Sequence, residues 1–151
     1  MPTDLNSRHL LEQEMRRKVI RLMLIEDSDA DALLVAEAAR ELSFDLQAQR
    51  LVTVGQVNDV LEKGIQGPLD GVLLDLNLPG GSGLDVLRKI RNGESTHDLA
   101  VVVMTTSISE RDREAATRLG VAGYLVKPNE YSQYVATVGI ALQLILDANR
   151  E

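Results

Sequence analysis

Five positions in this chain put a polar or charged side chain at the end of a short apolar run. Glu26 and Asp27 follow residues 19–25, Asp75 closes 71–75, Thr105 closes 99–105, and Lys127-Pro128 follows 122–126. Taken singly, each has an ordinary explanation. Glu26 and Asp27 could open a loop or cap a helix, and Asp75 could be a turn aspartate ahead of Pro79-Gly80-Gly81. Thr105 could be a β-branched strand residue, and Lys127 a loop lysine. Brought together they are different. Three carboxylates at one place form a hard, all-oxygen donor set suited to Mg²⁺. Without a cation they repel one another, and one of them must titrate high. Such a cluster is either a metal site or a defect in the fold.

Whether they meet depends on the elements that carry them. The runs 19–25, 48–54, 71–75, 99–105 and 122–126 read as strands, and the first, third and fourth are near-continuous in Val, Leu, Ile and Met, as in strands covered on both faces. Between them lie helical patterns. Residues 30–42 carry Leu33, Leu34, Ala38 and Leu42 behind Ser28 or Asp29 as N-cap, and 56–63 carry Val57, Val60 and Leu61. Residues 83–91 carry Leu84, Leu87 and Ile90 behind Ser82, 110–119 stop at Gly120, and 130–149 form the longest helix. Strand and helix thus alternate five times. This predicts an α/β fold, a doubly wound five-stranded parallel sheet with right-handed crossovers. The strand order 2-1-3-4-5 places a ligand crevice where strands 1 and 3 diverge, at the carboxyl edge of the sheet. All five functional positions fall on that edge. Residues 1–17 read as an extension, with a short helix over 5–15, and 18–151 as one domain.

Composition narrows the function. The 151 residues are 44% hydrophobic and 26% charged, without cysteine, which excludes disulfides and thiolate chemistry. A formal charge of −7 disfavours a phosphate backbone as partner, and 3% aromatic residues leave no base-stacking platform, so no direct nucleic-acid role is expected. Arg16-Arg17-Lys18 reads as a solvated helix end. No apolar run approaches the length of a membrane span, and residues 1–18 lack the apolar core of a secretory signal; a cytoplasmic protein is expected. No Gly-x-x-x-x-Gly-Lys-[Ser/Thr] pattern exists, so Gly80, Gly81 and Gly83 fit a flexible loop rather than a nucleotide cradle.

The blocks Leu24-Ile25-Glu26-Asp27, Leu73 to Pro79, Val103 to Ser107 and Gly123 to Pro128 resemble those of response-regulator receiver domains, the CheY-like signalling modules, in the right order and over about residues 18–146. The resemblance implies that Asp75 takes a phosphoryl group from the phosphohistidine of a sensor histidine kinase. It implies that Glu26, Asp27, Asp75 and the backbone carbonyl of Asn77 hold Mg²⁺. Lys127 and the Thr105 hydroxyl would then bind phosphoryl oxygens. It further implies a cis Lys127–Pro128 peptide, and a switch in which Thr105 moves inward and Tyr124 changes rotamer, altering the face of helix 4, strand 5 and helix 5. Thr106 and Asn77 stand where members of the family vary, and are levers on phosphate lifetime.

With the sequence ending at Glu151, soon after the last helix, the expected output is a partner protein, self-association or onward phosphotransfer. In that helix Tyr131, Tyr134, Val135, Val138, Leu142 and Ile145 form an inward stripe, with Ile140, Leu144 and Leu146 beyond it. A helix apolar on more than one side implies a second partner, and a homodimer through this helix, with strand 5, is expected. The Thr105-Thr106-Ser107 stretch and the extended last helix resemble those of single-domain receivers that serve phytochrome-type kinases. An aspartyl-phosphate hydrolase would need a second carboxylate where Asn77 stands, so turnover of an outside substrate is not expected.

Overall fold

In the computed structural model, which describes residues 6–8 and 18–150, β1 (Lys18–Ile25) lies between β2 (Phe44–Leu51) and β3 (Gly71–Leu74). β4 (Ala100–Thr105) and β5 (Gly123–Val126) complete the order β2-β1-β3-β4-β5, all parallel. The expected fold is therefore the observed one. Alternation along β1 divides the core in two. Leu22 and Leu24 face a cluster with α1 (Asp29–Glu41) and α5 (Tyr131–Ala148). Met23 and Ile25 face the opposite cluster, with α2 (Val54–Lys63), α3 (Gly83–Asn92) and α4 (Glu110–Arg118).

Side chains stop the helices from fraying at their N-termini. Ser28, Thr53, Ser82 and Ser109 each accept a backbone N–H of the first turn in α1 to α4, whereas Glu130 makes no side-chain cap for α5.

Several boundaries differ from expectation. β2 begins four residues earlier than the run 48–54, and Thr53 and Val54 belong to the next helix as its cap and first residue. β2 is an edge strand with only Leu51 buried, so it lacks the dense apolar signal of β1 and β3. On α1 the inward stripe is Val35, Ala38 and Ala39, and Leu33 points outward. On α5 the expected stripe is buried except for Tyr131, whose hydroxyl reaches Glu41 across the surface at 2.9 Å. Leu144 and Leu146 pack partly onto the chain's own core, leaving Ile140 as the exposed apolar residue of that outer face. The segment after β3 closes as a two-residue antiparallel ribbon, Asn77 opposite Ser82 and Leu78 opposite Gly81, turning through Gly80 at φ 84°. Residues 6–8 are helical; the remainder of the helix expected over 5–15 lies outside the described residues.

Candidate functional site

The parallel register sets the carboxyl ends of the strands side by side, and the hydrogen-bond ladder runs one residue past them. Glu26 N–H donates to Leu51 at 3.0 Å, Asp75 N–H to Ile25 at 3.0 Å, and Lys127 N–H to Thr105 at 2.8 Å. The three residues are thus fixed by the last rungs of the sheet, and their side chains have little backbone freedom to lose. The loop holding Glu26 and Asp27 is clamped by Arg50 at the end of β2. Its guanidinium donates to the carbonyls of Glu26 (3.0 Å) and Asp27 (3.1 Å) and to the Asp29 carboxylate (2.7 Å).

At the centre lies the Lys127 ammonium, its side chain 6% exposed. It donates to Glu26 Oε1 at 2.6 Å, Asp75 Oδ2 at 2.9 Å and Asp31 Oδ2 at 3.0 Å, which uses all three of its N–H bonds. Glu26 and Asp75 are buried and otherwise held by backbone: Glu26 Oε2 accepts the N–H of Ser28 at 3.2 Å, and Asp75 Oδ1 that of Asn77 at 3.0 Å. Asp27 is exposed, yet one of its carboxylate oxygens groups with one from Glu26 and one from Asp75, the three within 4.8 Å of each other.

One ammonium cannot neutralise so many carboxylates, and Glu26, the one that titrates high, does so chiefly because it is buried. Burial pushes its pKa up to about 7; the bond to Lys127 opposes this, and the charge of Asp75 adds to it. Lys127 moves upward as well. Burial alone would lower it, but its hydrogen bonds to Glu26 and Asp75 and their charges outweigh that. An all-oxygen cluster with negative charge to spare fits a divalent cation of the hard class.

The remaining expected residues lie on β4 and β5 and on the segments that follow β3 and β4. Thr105 is fully buried at the end of β4, its hydroxyl oxygen accepting the N–H of Ser107 at 3.3 Å. The Asn77 amide donates to the Thr106 hydroxyl at 3.2 Å, joining the two levers directly. Tyr124 is half-buried on β5; its hydroxyl donates to the Ser107 carbonyl at 3.0 Å, and the Arg113 guanidinium lies 4.9 Å from its ring centre. One expectation fails: no described peptide bond is cis, and Lys127–Pro128 is trans. The trans form is the ordinary preference of an X–Pro bond, and Lys127 reaches the three carboxylates without departing from it.

Sequence reasoning missed three residues. Arg50 gave no local signal. Asp31 did: it lies four and seven residues before the buried Val35 and Ala38, so a carboxylate occupies the inward stripe of an amphipathic helix. Tyr134 was placed in the α5 stripe as core, but its hydroxyl donates to Asp31 Oδ1 at 3.1 Å.

A doubly wound sheet of this order, with an acidic cluster and a lysine at its carboxyl edge, defines a class of signalling domain. Residues 22–139 match the response regulator receiver domain family, and the chain belongs to it. It is a receiver domain of two-component signalling, a class that works with histidine kinases. It is 34% identical over 132 residues to the probable methanogenesis regulatory protein FilR2 of Methanothrix harundinacea, spanning 85% of either chain. Among solved structures it resembles a phosphorylated cyanobacterial phytochrome response regulator, RcpA (30% identity, TM-score 0.73, 80% of this chain and 90% of that one). It also resembles the Mn²⁺-bound form of response regulator Rcp1 (35% identity, TM-score 0.67, 82% and 91%). Some curated relatives are longer, and the chain spans about half the length of one of them, BaeR of Escherichia coli. No described helix is long and apolar enough to cross a membrane.

Proposed function

We propose that this chain is a single-domain response regulator, phosphorylated on Asp75 in a Mg²⁺-dependent reaction. The observation that carries the reading is the environment of Asp75: a carboxylate on the last rung of β3, 2.9 Å from the Lys127 ammonium and grouped with Glu26 and Asp27. A carboxylate oxygen of Asp75 attacks the phosphorus of a phosphohistidine, the P–N bond breaks, and the imidazole leaves as an acyl phosphate forms. The protein contributes placement and neutralisation rather than acid–base chemistry. Lys127 and the Thr105 hydroxyl take phosphoryl oxygens. Glu26, Asp27, Asp75 and the Asn77 carbonyl are the ligands for Mg²⁺, which when bound offsets the charge of the carboxylates and of the incoming phosphoryl group. No second carboxylate stands at Asn77 to activate water for an outside substrate, so the chain acts as a phosphoacceptor and not as an enzyme.

The phytochrome response regulators among its structural neighbours favour a phytochrome-type kinase as phosphodonor. Signal leaves through Tyr124 and the face of α4, β5 and α5. A homodimer through α5 would centre on Ile140, since Leu144 and Leu146 serve the chain's own core. The protein works in the cytoplasm.

Incubation with phosphoramidate and Mg²⁺ is expected to give a mass gain of one phosphoryl group, labile to hydroxylamine. Asp75→Asn is expected to abolish it, and a gain that survives this change would exclude Asp75 as the acceptor.

Metal binding should also depend on pH in a definite sense. Because Glu26 titrates near 7, a cation arriving below that value must displace its proton. Affinity for Mg²⁺ then falls by up to about tenfold per unit below pH 7 and levels off above it. Calorimetric titrations across this range, in buffers of different ionisation enthalpy, would show proton release at low pH; a flat profile would remove Glu26 from the ligand set.

A further inference from the structure

Asp31 has no task in the phosphoryl-transfer reading, yet it is bonded at both oxygens. Oδ2 accepts from Lys127 at 3.0 Å and Oδ1 from the Tyr134 hydroxyl at 3.1 Å. Its backbone N–H is itself held by the Ser28 cap at 3.1 Å, so the carboxylate projects from a fixed point on α1. Tyr134 is buried, in the first turn of α5. Burial, followed by the charge of Asp31, raises its pKa, so it remains a hydroxyl donor at neutral pH.

We infer that Asp31 is a positioning residue that couples Lys127 to the first turn of α5, reporting a phosphoryl group on Asp75 there by a route separate from Tyr124. The inference rests on the reading of Asp75 as acceptor. Lys127 has three N–H donors, and all three are committed. An oxygen of a phosphoryl group on Asp75 can gain a donor only if one present acceptor yields or shares. Glu26 and Asp75 stand among the ligands for Mg²⁺, and as Lys127 turns toward the phosphoryl oxygen Asp31 is the acceptor that follows it or lets it go. Asp31 cannot turn without disturbing the Tyr134 bond, because its two oxygens belong to one rigid carboxylate.

The receiving end is built to respond. α5 alone among the five long helices lacks a side-chain N-cap, so its first turn depends more on contacts of this kind. A pocket of about 400 Å³, lined in part by Asp31, Thr106, Pro128, Tyr131 and Tyr134, lies against the bridge and gives the turn room to move. Tyr124 lies on another path, bonded to Ser107 and stacked on Arg113. The two routes can therefore be separated by mutation.

The test compares backbone amide shifts before and after phosphorylation by phosphoramidate and Mg²⁺, in the full chain and in its Asp31→Asn and Tyr134→Phe variants. Intact mass is recorded on each sample. In the unmodified chain the amides of Tyr131, Tyr134 and Val135 shift on phosphorylation. In both variants that response is largely lost, while Ser107 and Arg113 respond as before. A static structural pair would leave the phosphorylation-induced difference unaltered. Mass gain with an unchanged α5 response in both variants, or with no α5 response in the unmodified chain, overturns the coupling alone. Absence of mass gain in the unmodified chain overturns the acceptor reading, and the coupling with it. Tyr134→Phe keeps the buried ring and removes only the hydroxyl, so the comparison does not hinge on how Asp31→Asn folds.

Discussion

Lys127→Met is expected to cost about 3–5 kcal/mol of folding stability when divalent cations are chelated, because removing one partner of a buried ionic cluster strands the others. The ammonium is the shared partner of Glu26, Asp75 and Asp31, and the first two are almost wholly shielded from water. Methionine matches the lysine stem in length and bulk, so the loss reports charge rather than a cavity. The sign with pH is definite. Lys127 is held above its ordinary value of 10.5, so its contribution is fully present at neutral pH and is lost only as pH rises beyond that value. Added Mg²⁺ should recover part of the deficit, since a ligand that binds only the folded chain stabilises it by mass action. Urea unfolding followed by circular dichroism, with chelator and with Mg²⁺, measures both numbers. A change below about 0.5 kcal/mol in chelator would mean that the carboxylates do not depend on this lysine.

Gly83→Ala is the second large effect, and it acts through backbone. A β-carbon at Gly83 would lie 2.5 Å from the Leu76 α-carbon and 2.7 Å from the Asp75 carbonyl oxygen. Neither neighbour is a side chain that can swing aside. The Gly83 N–H also donates to the Leu76 carbonyl at 3.0 Å, which holds the start of α3 against the segment leaving the acceptor residue. Relief must come from moving that segment, at a cost of about 3 kcal/mol or more, the upper end for overpacking. Since the displaced atoms belong to Asp75 and its neighbour, phosphoryl uptake should fall with stability. Gly80→Ala is the control: nothing lies within 4 Å of the added carbon there, and only the left-handed backbone at φ 84° is strained. It should lose stability and retain uptake. Equal uptake in both variants would contradict the account of Gly83. The glycine read from sequence as part of a flexible loop is a packing residue at a helix start.

Much of the site is legible in the sequence, for a reason specific to parallel topology. In alternating strands and helices every strand ends on the same edge, so a residue's place at the end of an apolar run is also a place in space. Glu26, Asp27, Asp75, Thr105 and Lys127 could be grouped on that ground, though they stand at the ends of separate runs. The same logic located the strands buried on both faces and failed for the start of β2, where Phe44 to Leu51 interleaves its apolar residues with Asp, Gln and Arg. An edge strand has too little buried surface to write a strong pattern. The inward stripe of α1 was displaced for a related reason. Leu33 and Val35 are both apolar, and only the helix's orientation on the sheet decides which is covered.

What the sequence by itself determined was the order of elements, the sheet they must form and the acidic and basic groups at its edge, because these follow from local periodicity and a topological rule. What only the tertiary structure decided was which side chains beyond that edge turn into it. Asp31 and Tyr134 lie 103 residues apart on two helices, and Arg50 reaches the Glu26 loop from a neighbouring strand. Helical spacing narrows which face of a helix is covered, but does not state which helix covers it or at what height. Those quantities are set when both layers pack on a common sheet. The burial that raises Glu26 arises at that stage, and with it the complete commitment of Lys127.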